Sequence, residues 1–93
     1  MELVFTRHAR KRILERGIRV DEIHSALEAL TVVEDYPDDT PYPSRLVLGW
    51  VSGRPLHVVL AGPTAEGDTI IVTLYEPDLE RFEPGFTRRK PKP

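Results

Sequence analysis

Between Arg45 and Glu76 the chain carries three apolar runs separated by two turn signals, and this stretch constrains what everything else must do. The runs are Arg45–Val51 (RLVLGWV), Arg54–Ala61 (RPLHVVLA) and Asp68–Glu76 (DTIIVTLYE). Val, Ile, Leu and aromatic residues dominate them. Ser52-Gly53 and Gly-Pro-Thr-Ala-Glu-Gly punctuate them, the pattern of consecutive hairpin strands. A two-residue loop at Ser52-Gly53 pairs Val51 with Arg54, so Leu48 falls opposite His57. Pairing Ala61 with Thr69 across the longer turn sets His57 opposite Thr73, with Tyr75 diagonal to it.

Side chains alternate across a strand, so this register predicts two unlike faces. One carries Val47, Val51, Leu56, Val58, Leu60, Ile70, Val72 and Leu74, almost wholly aliphatic. It must be covered by apolar partners. The other carries Leu46, Leu48, Trp50, His57, Val59, Ile71, Thr73 and Tyr75, with a histidine and two polar-tipped aromatics. That face is the candidate for a site.

The rest of the chain supplies the cover. Leu3-Val4-Phe5 reads either as an edge strand or as a segment packed beside the first helix. Thr6 is a good N-cap for a helix ending at Gly17, with Ala9, Ile13 and Leu14 as its apolar stripe. His8, Arg12 and Glu15/Arg16 share another face of that helix. A second helix starts near Val20-Asp21, and Ile23, Ala26, Leu27 and Leu30 form its apolar side. Thr31–Tyr36 reads as a strand, and the Pro-rich segment 37–44 as a loop. After Pro77, residues 78–82 suit one helical turn, and Pro84-Gly85 breaks it. The expected architecture is α+β: two N-terminal helices packed on a four-stranded, mostly antiparallel sheet. One domain spans residues 1–87, followed by a basic, flexible tail at 88–93.

Composition narrows the chemistry. With 93 residues the chain makes one small core. It has no cysteine, hence no disulfide, thiolate nucleophile or thiolate metal site. Three histidines and no ligand spacing predict no metal and no cofactor. No apolar run approaches the roughly 20 residues of a membrane span. The start lacks the order of a signal peptide, so a cytoplasmic location is expected. Net charge is −2, but the charges are segregated. Residues 1–20 hold six Arg/Lys, residues 21–44 hold seven acids and no Arg/Lys, and the tail holds four bases. Basic patches of this kind keep nucleic acid open as a partner, and the acidic stretch suits a protein.

RNA can be cleaved without a metal by its own 2′-hydroxyl, given a base, an acid and cations for the phosphorane. His8, Arg12, His57 and Tyr75 are the residues able to supply these. Arg16, Arg54, Arg88 and Arg89 are candidate RNA contacts, with Trp50 as a stacking platform. Each also has a plainer reading: His57 as a hydrogen-bonded structural histidine, Trp50 and Tyr75 as packing, the arginines as a solvated surface.

The run Phe5-Thr6-Arg7-His8-Ala9-Arg10, with Arg12, Glu15-Arg16-Gly17-Ile18, resembles a bacterial family known only as domain of unknown function 4258. Further matches are Glu34–Asp39, Pro41–Ser44, Gly53–Val59, Thr73–Asp78, Phe82, Gly85-Phe86 and Arg88-Arg89. That family looks like part of the RelE/MqsR-like ribonuclease-toxin superfamily, often encoded beside a zinc-ribbon antitoxin of the MqsA/YgiT type. The resemblance implies a RelE-like fold, an mRNA-cleaving toxin, an antitoxin partner, and His8, Arg12, His57 and Tyr75 as site residues. The net acidic charge departs from the strongly basic character of many RelE-like toxins. The rival reading is a non-catalytic module that binds a protein through its sheet edge and acidic loop. A homodimer through the Trp50 face is a third.

Overall fold

In the computed structural model, which describes residues 2–91, two helices lie on one face of a five-stranded mixed sheet. The elements are β1 (Leu3–Phe5), α1 (Arg7–Arg16), α2 (Val20–Glu28), β2 (Thr31–Tyr36), β3 (Ser44–Val51), β4 (Arg54–Ala61) and β5 (Thr69–Tyr75). The strand order is β1-β5-β4-β3-β2. Strands β2 to β5 form the expected antiparallel series. The four-stranded expectation falls one short, because Leu3–Phe5 is a true edge strand that pairs in parallel with Thr69–Ile71.

Helix α1 is placed by one hydroxyl. Thr6 Oγ1 accepts from the Ala9 amide at 3.0 Å, capping the helix, and donates to the Val72 carbonyl at 2.7 Å. Gly17, at φ +64°, closes α1 in the left-handed conformation that glycine adopts without strain. Helix α2 is capped through the Glu22 carboxylate, which accepts from the Arg19 amide at 2.9 Å. It sits so close to β3 that a Cβ at Gly49 would come within 2.9 Å of the Ala26 Cβ and carbonyl oxygen.

Between helices and sheet lies the aliphatic core: Ala9, Ile13, Ile18, Ile23, Ala26, Val47, Val51, Leu56, Val58, Leu60, Ile71 and Leu74. The β3–β4 register agrees with the sequence reading, with Val51 opposite Arg54 and Leu48 opposite His57. The β4–β5 register does not. Leu60 pairs with Ile71 and Val59 with Thr73, which leaves Val72 as a bulged extra residue. Beyond the bulge every side chain changes face, so Ile71 is fully buried in the core while Ile70 and Val72 lie half-buried. On the near side, His57 stands directly opposite Tyr75 rather than Thr73.

The second face has a cover the sequence reading lacked. Asp78 starts one helical turn, its carboxylate accepting from the Glu80 and Arg81 amides, and the Phe82 amide bonds back to the Asp78 carbonyl. The chain then doubles back: Phe82 bridges Arg89, the Glu83 amide bonds the Arg88 carbonyl, and the Lys90 amide bonds the Arg81 carbonyl. Residues 88–91, assigned from sequence to a tail, therefore include the return arm of a hairpin at 81–90. Residues 92 and 93 lie outside the described residues. Phe82, 2% exposed, packs edge-on against His57, and Leu46 and Leu48 are buried on the same side.

Candidate functional site

Strand β1 pairs only with Thr69–Ile71, and the chain leaves the sheet at Thr6 to enter α1. The outer edge of the Thr73–Tyr75 end of β5 is therefore left without a paired strand, with α1 on one side and the C-terminal hairpin on the other. A cleft of about 250 Å³ occupies this gap, lined by Arg12, Tyr75, Glu76, Pro77, Asp78, Arg81, Phe82 and Arg89. A larger, mostly apolar cavity of about 350 Å³ lies at the opposite end of the sheet, among Leu3, Leu27, Leu30, Leu60 and Ala61.

The cleft's cations differ in their commitments. The Arg89 guanidinium is bonded to Glu34 on β2 and lies 5.1 Å from the Phe82 ring centroid. Arg12 and Arg81 have no carboxylate partner among the described residues, and the Arg12 Nε is buried without any hydrogen-bond partner. A buried donor left unbonded costs about 1–3 kcal/mol unless a ligand or water satisfies it. The carboxylates are already engaged: Glu76 pairs with Arg54 at 3.2 Å, and Asp78 caps its own turn.

Beside the cleft, Tyr75 meets His57. The His57 Nε2 lies 2.8 Å from the Phe86 carbonyl oxygen, which only accepts, so Nε2 carries the proton. Nδ1 is then free to accept from the Tyr75 hydroxyl at 3.3 Å. His57 is fully buried, and burial pushes its pKa below the ordinary value, keeping the ring neutral. Burial likewise raises the Tyr75 pKa, so its hydroxyl stays protonated at neutral pH.

The four expected site residues are only partly brought together. Arg12 and Tyr75 line one cleft, and His57 touches Tyr75 from behind without lining it. His8 is exposed, one turn before Arg12, and lines no part of the cleft. Of the expected RNA contacts, Arg16 is exposed in the last turn of α1, and Trp50 is 50% exposed with its ring edge-to-face on Phe86. Arg54 is paired with Glu76, Arg88 is exposed, and Arg89 is clasped by Glu34. Arg81, Phe82 and Glu34 were missed. Phe82 and Phe86 were marked as matches to the family without a place in the site, and a face holding Leu46, Leu48 and His57 is the physical signal that a cover such as Phe82 is needed.

Among the described residues no three His, Asp or Glu side chains gather as a metal site requires, and no helix is long and apolar enough to cross a membrane. Residues 5–76 match the family model described as domain of unknown function DUF4258. The chain belongs to that family. The match ends at Glu76, so Arg81, Phe82, Phe86 and Arg89 of the hairpin lie beyond it. No curated protein and no solved structure matches the chain.

Proposed function

We propose that this DUF4258 protein is a toxin-type, metal-independent endoribonuclease that takes mRNA in the cleft beside β5 and is restrained by an antitoxin. The observation that carries the reading is the buried, unbonded Arg12 Nε in a cleft shared with Tyr75 and the unpaired Arg81. A phosphate supplies the acceptor that nitrogen lacks, and two guanidiniums suit the charge of a phosphorane. The 2′-oxygen would attack phosphorus as the bond to the 5′-oxygen breaks, leaving a 2′,3′-cyclic phosphate and a 5′-hydroxyl. Tyr75, held protonated, would give its proton to the departing 5′-oxygen. Glu76, whose partner is the largely exposed Arg54 rather than backbone amides, would exchange that pairing to accept the 2′-hydroxyl proton. His57 serves as a positioning residue, aiming the Tyr75 hydroxyl rather than exchanging protons with substrate. Trp50, half exposed, remains able to stack a flanking base. The free edge of β2, with Val32 and Tyr36 exposed beside Glu34 and Asp35, would receive the antitoxin by strand addition.

A second reading has its own observation. His57 is buried and bonded to a backbone carbonyl, as in a structural histidine, which favours a non-catalytic module binding protein at the same β2 edge. Incubating purified protein with single-stranded RNA in EDTA separates the two. Cleavage with cyclic-phosphate ends, reduced at least tenfold in Arg12→Ala and Tyr75→Phe, supports the nuclease. Intact RNA with folded wild type, and no growth arrest on expression, sinks it in favour of the module.

A further inference from the structure

The nuclease reading seats one phosphate in the cleft, yet the cations around it continue along α1. Arg12 belongs to a row, His8–Arg12–Arg16, in which residues four apart succeed one another about 6 Å along the helix axis. A second row, Arg7–Lys11, runs beside it, and Arg10 adds a sixth polar residue to a helix whose only acid is Glu15. His8, Arg7, Arg10, Lys11 and Arg16 are all exposed. None of the five basic residues of α1 among the Arg and Lys set has a carboxylate within ion-pairing distance among the described residues. Elsewhere on the molecule Arg19, Arg54 and Arg89 each hold an acid. A helix this cationic, left unneutralised and leading into a cleft with an unbonded guanidinium, is arranged for a polyanion.

We infer that the two basic rows of α1 are a track for single-stranded RNA, which seats one phosphate at Arg12 and its neighbours on Arg16 and Lys11. This deepens the nuclease reading by naming where the flanking strand runs. A single strand fits because Tyr75 lies in a cleft of about 250 Å³ wedged between α1 and the C-terminal hairpin, which a paired base would not enter. An acidic protein segment is the competing occupant, and the test is chosen to expose it.

The experiment is fluorescence anisotropy with a labelled, uncleavable 2′-O-methyl RNA 12-mer across a salt series. Each phosphate contact on a single strand contributes about 0.7 to the slope of log affinity against log salt. The double variant Arg16→Gln/Lys11→Gln therefore loses about 1.4 from the slope, and Arg19→Gln, whose charge is already paired with Asp21, loses nothing. Circular dichroism confirms that the surface variants fold. An unchanged slope in the double variant overturns the track. If Arg12→Gln at the same time abolishes cleavage, the nuclease reading survives without it. A duplex of the same sequence bound with the same slope overturns the single-strand assignment. No RNA binding by wild type at low salt removes the track as well, leaving an acidic protein as the helix's partner.

Discussion

The two faces of the sheet are closed by different physics. Under the helices the buried core is aliphatic, from Ile23 and Val47 to Leu56, Val58 and Leu74, and among the described residues no titratable residue belongs to it. Under the C-terminal hairpin the centre is His57, fully buried, flanked by Phe82 and satisfied by the Phe86 carbonyl and the Tyr75 hydroxyl. The hairpin is fastened at its far side by the Glu34 carboxylate, which bonds both Tyr36 and Arg89, and these bonds hold its pKa down. The first face is secured by area and shape, the second by a few directional bonds. The difference teaches that the covering which carries stability and the covering which shapes the cleft are separate, so each can be perturbed alone.

The largest expected effect is on the aliphatic face. Leu56→Ala, at 2% exposure, should cost about 3 kcal/mol of unfolding free energy in denaturant titration. A loss below 1 kcal/mol would mean the helices are not what holds the fold together. Gly49→Ala should cost about 2 kcal/mol, because the new methyl would meet Ala26 at 2.9 Å and force α2 away from β3.

On the polar face the effects are smaller and depend on pH. His57→Leu should cost about 1–2 kcal/mol, since it leaves the Phe86 carbonyl without its donor. Because the folded pKa of His57 lies below its unfolded value, its contribution is complete above pH 6.5 and declines as pH falls below that value. The variant should flatten this acid limb of the stability curve. An acid limb as steep as wild type would show that another group causes it. Smallest of all, Glu34→Gln should change global stability by no more than about 0.5 kcal/mol, as Arg89 is 54% exposed. It should nonetheless speed amide exchange at Phe82 to Lys90, where unaltered protection would show the clasp to be ornamental.

Turn length explains what was legible in the sequence. The two-residue loop at Ser52-Gly53 leaves one register open, and Leu48 opposite His57 follows from it. The seven-residue connection between β4 and β5 gives no such lock, and at the bulge the Thr6 hydroxyl donates to the Val72 carbonyl. That contact joins distant parts of the chain and leaves no periodic trace. The same holds for the cleft. Arg12 stood out by charge and Tyr75 by its face, but Arg81 and the hairpin depend on long-range packing that no local pattern encodes. His57 was found for its chemistry, while its burial came from Phe82, read only as the end of a helical turn.

The parallel pairing of β1 with β5 joins an early part of the chain to a late one. During synthesis the basic helix is made well before β5, yet its N-cap hydroxyl waits for Val72 and its Arg12 waits for Tyr75. A nascent chain that has not reached β5 carries the exposed cationic helix but no cleft. The cleft is thus complete only after the C-terminal hairpin has folded over the sheet, so a part of the chain made after β5 decides when it takes shape.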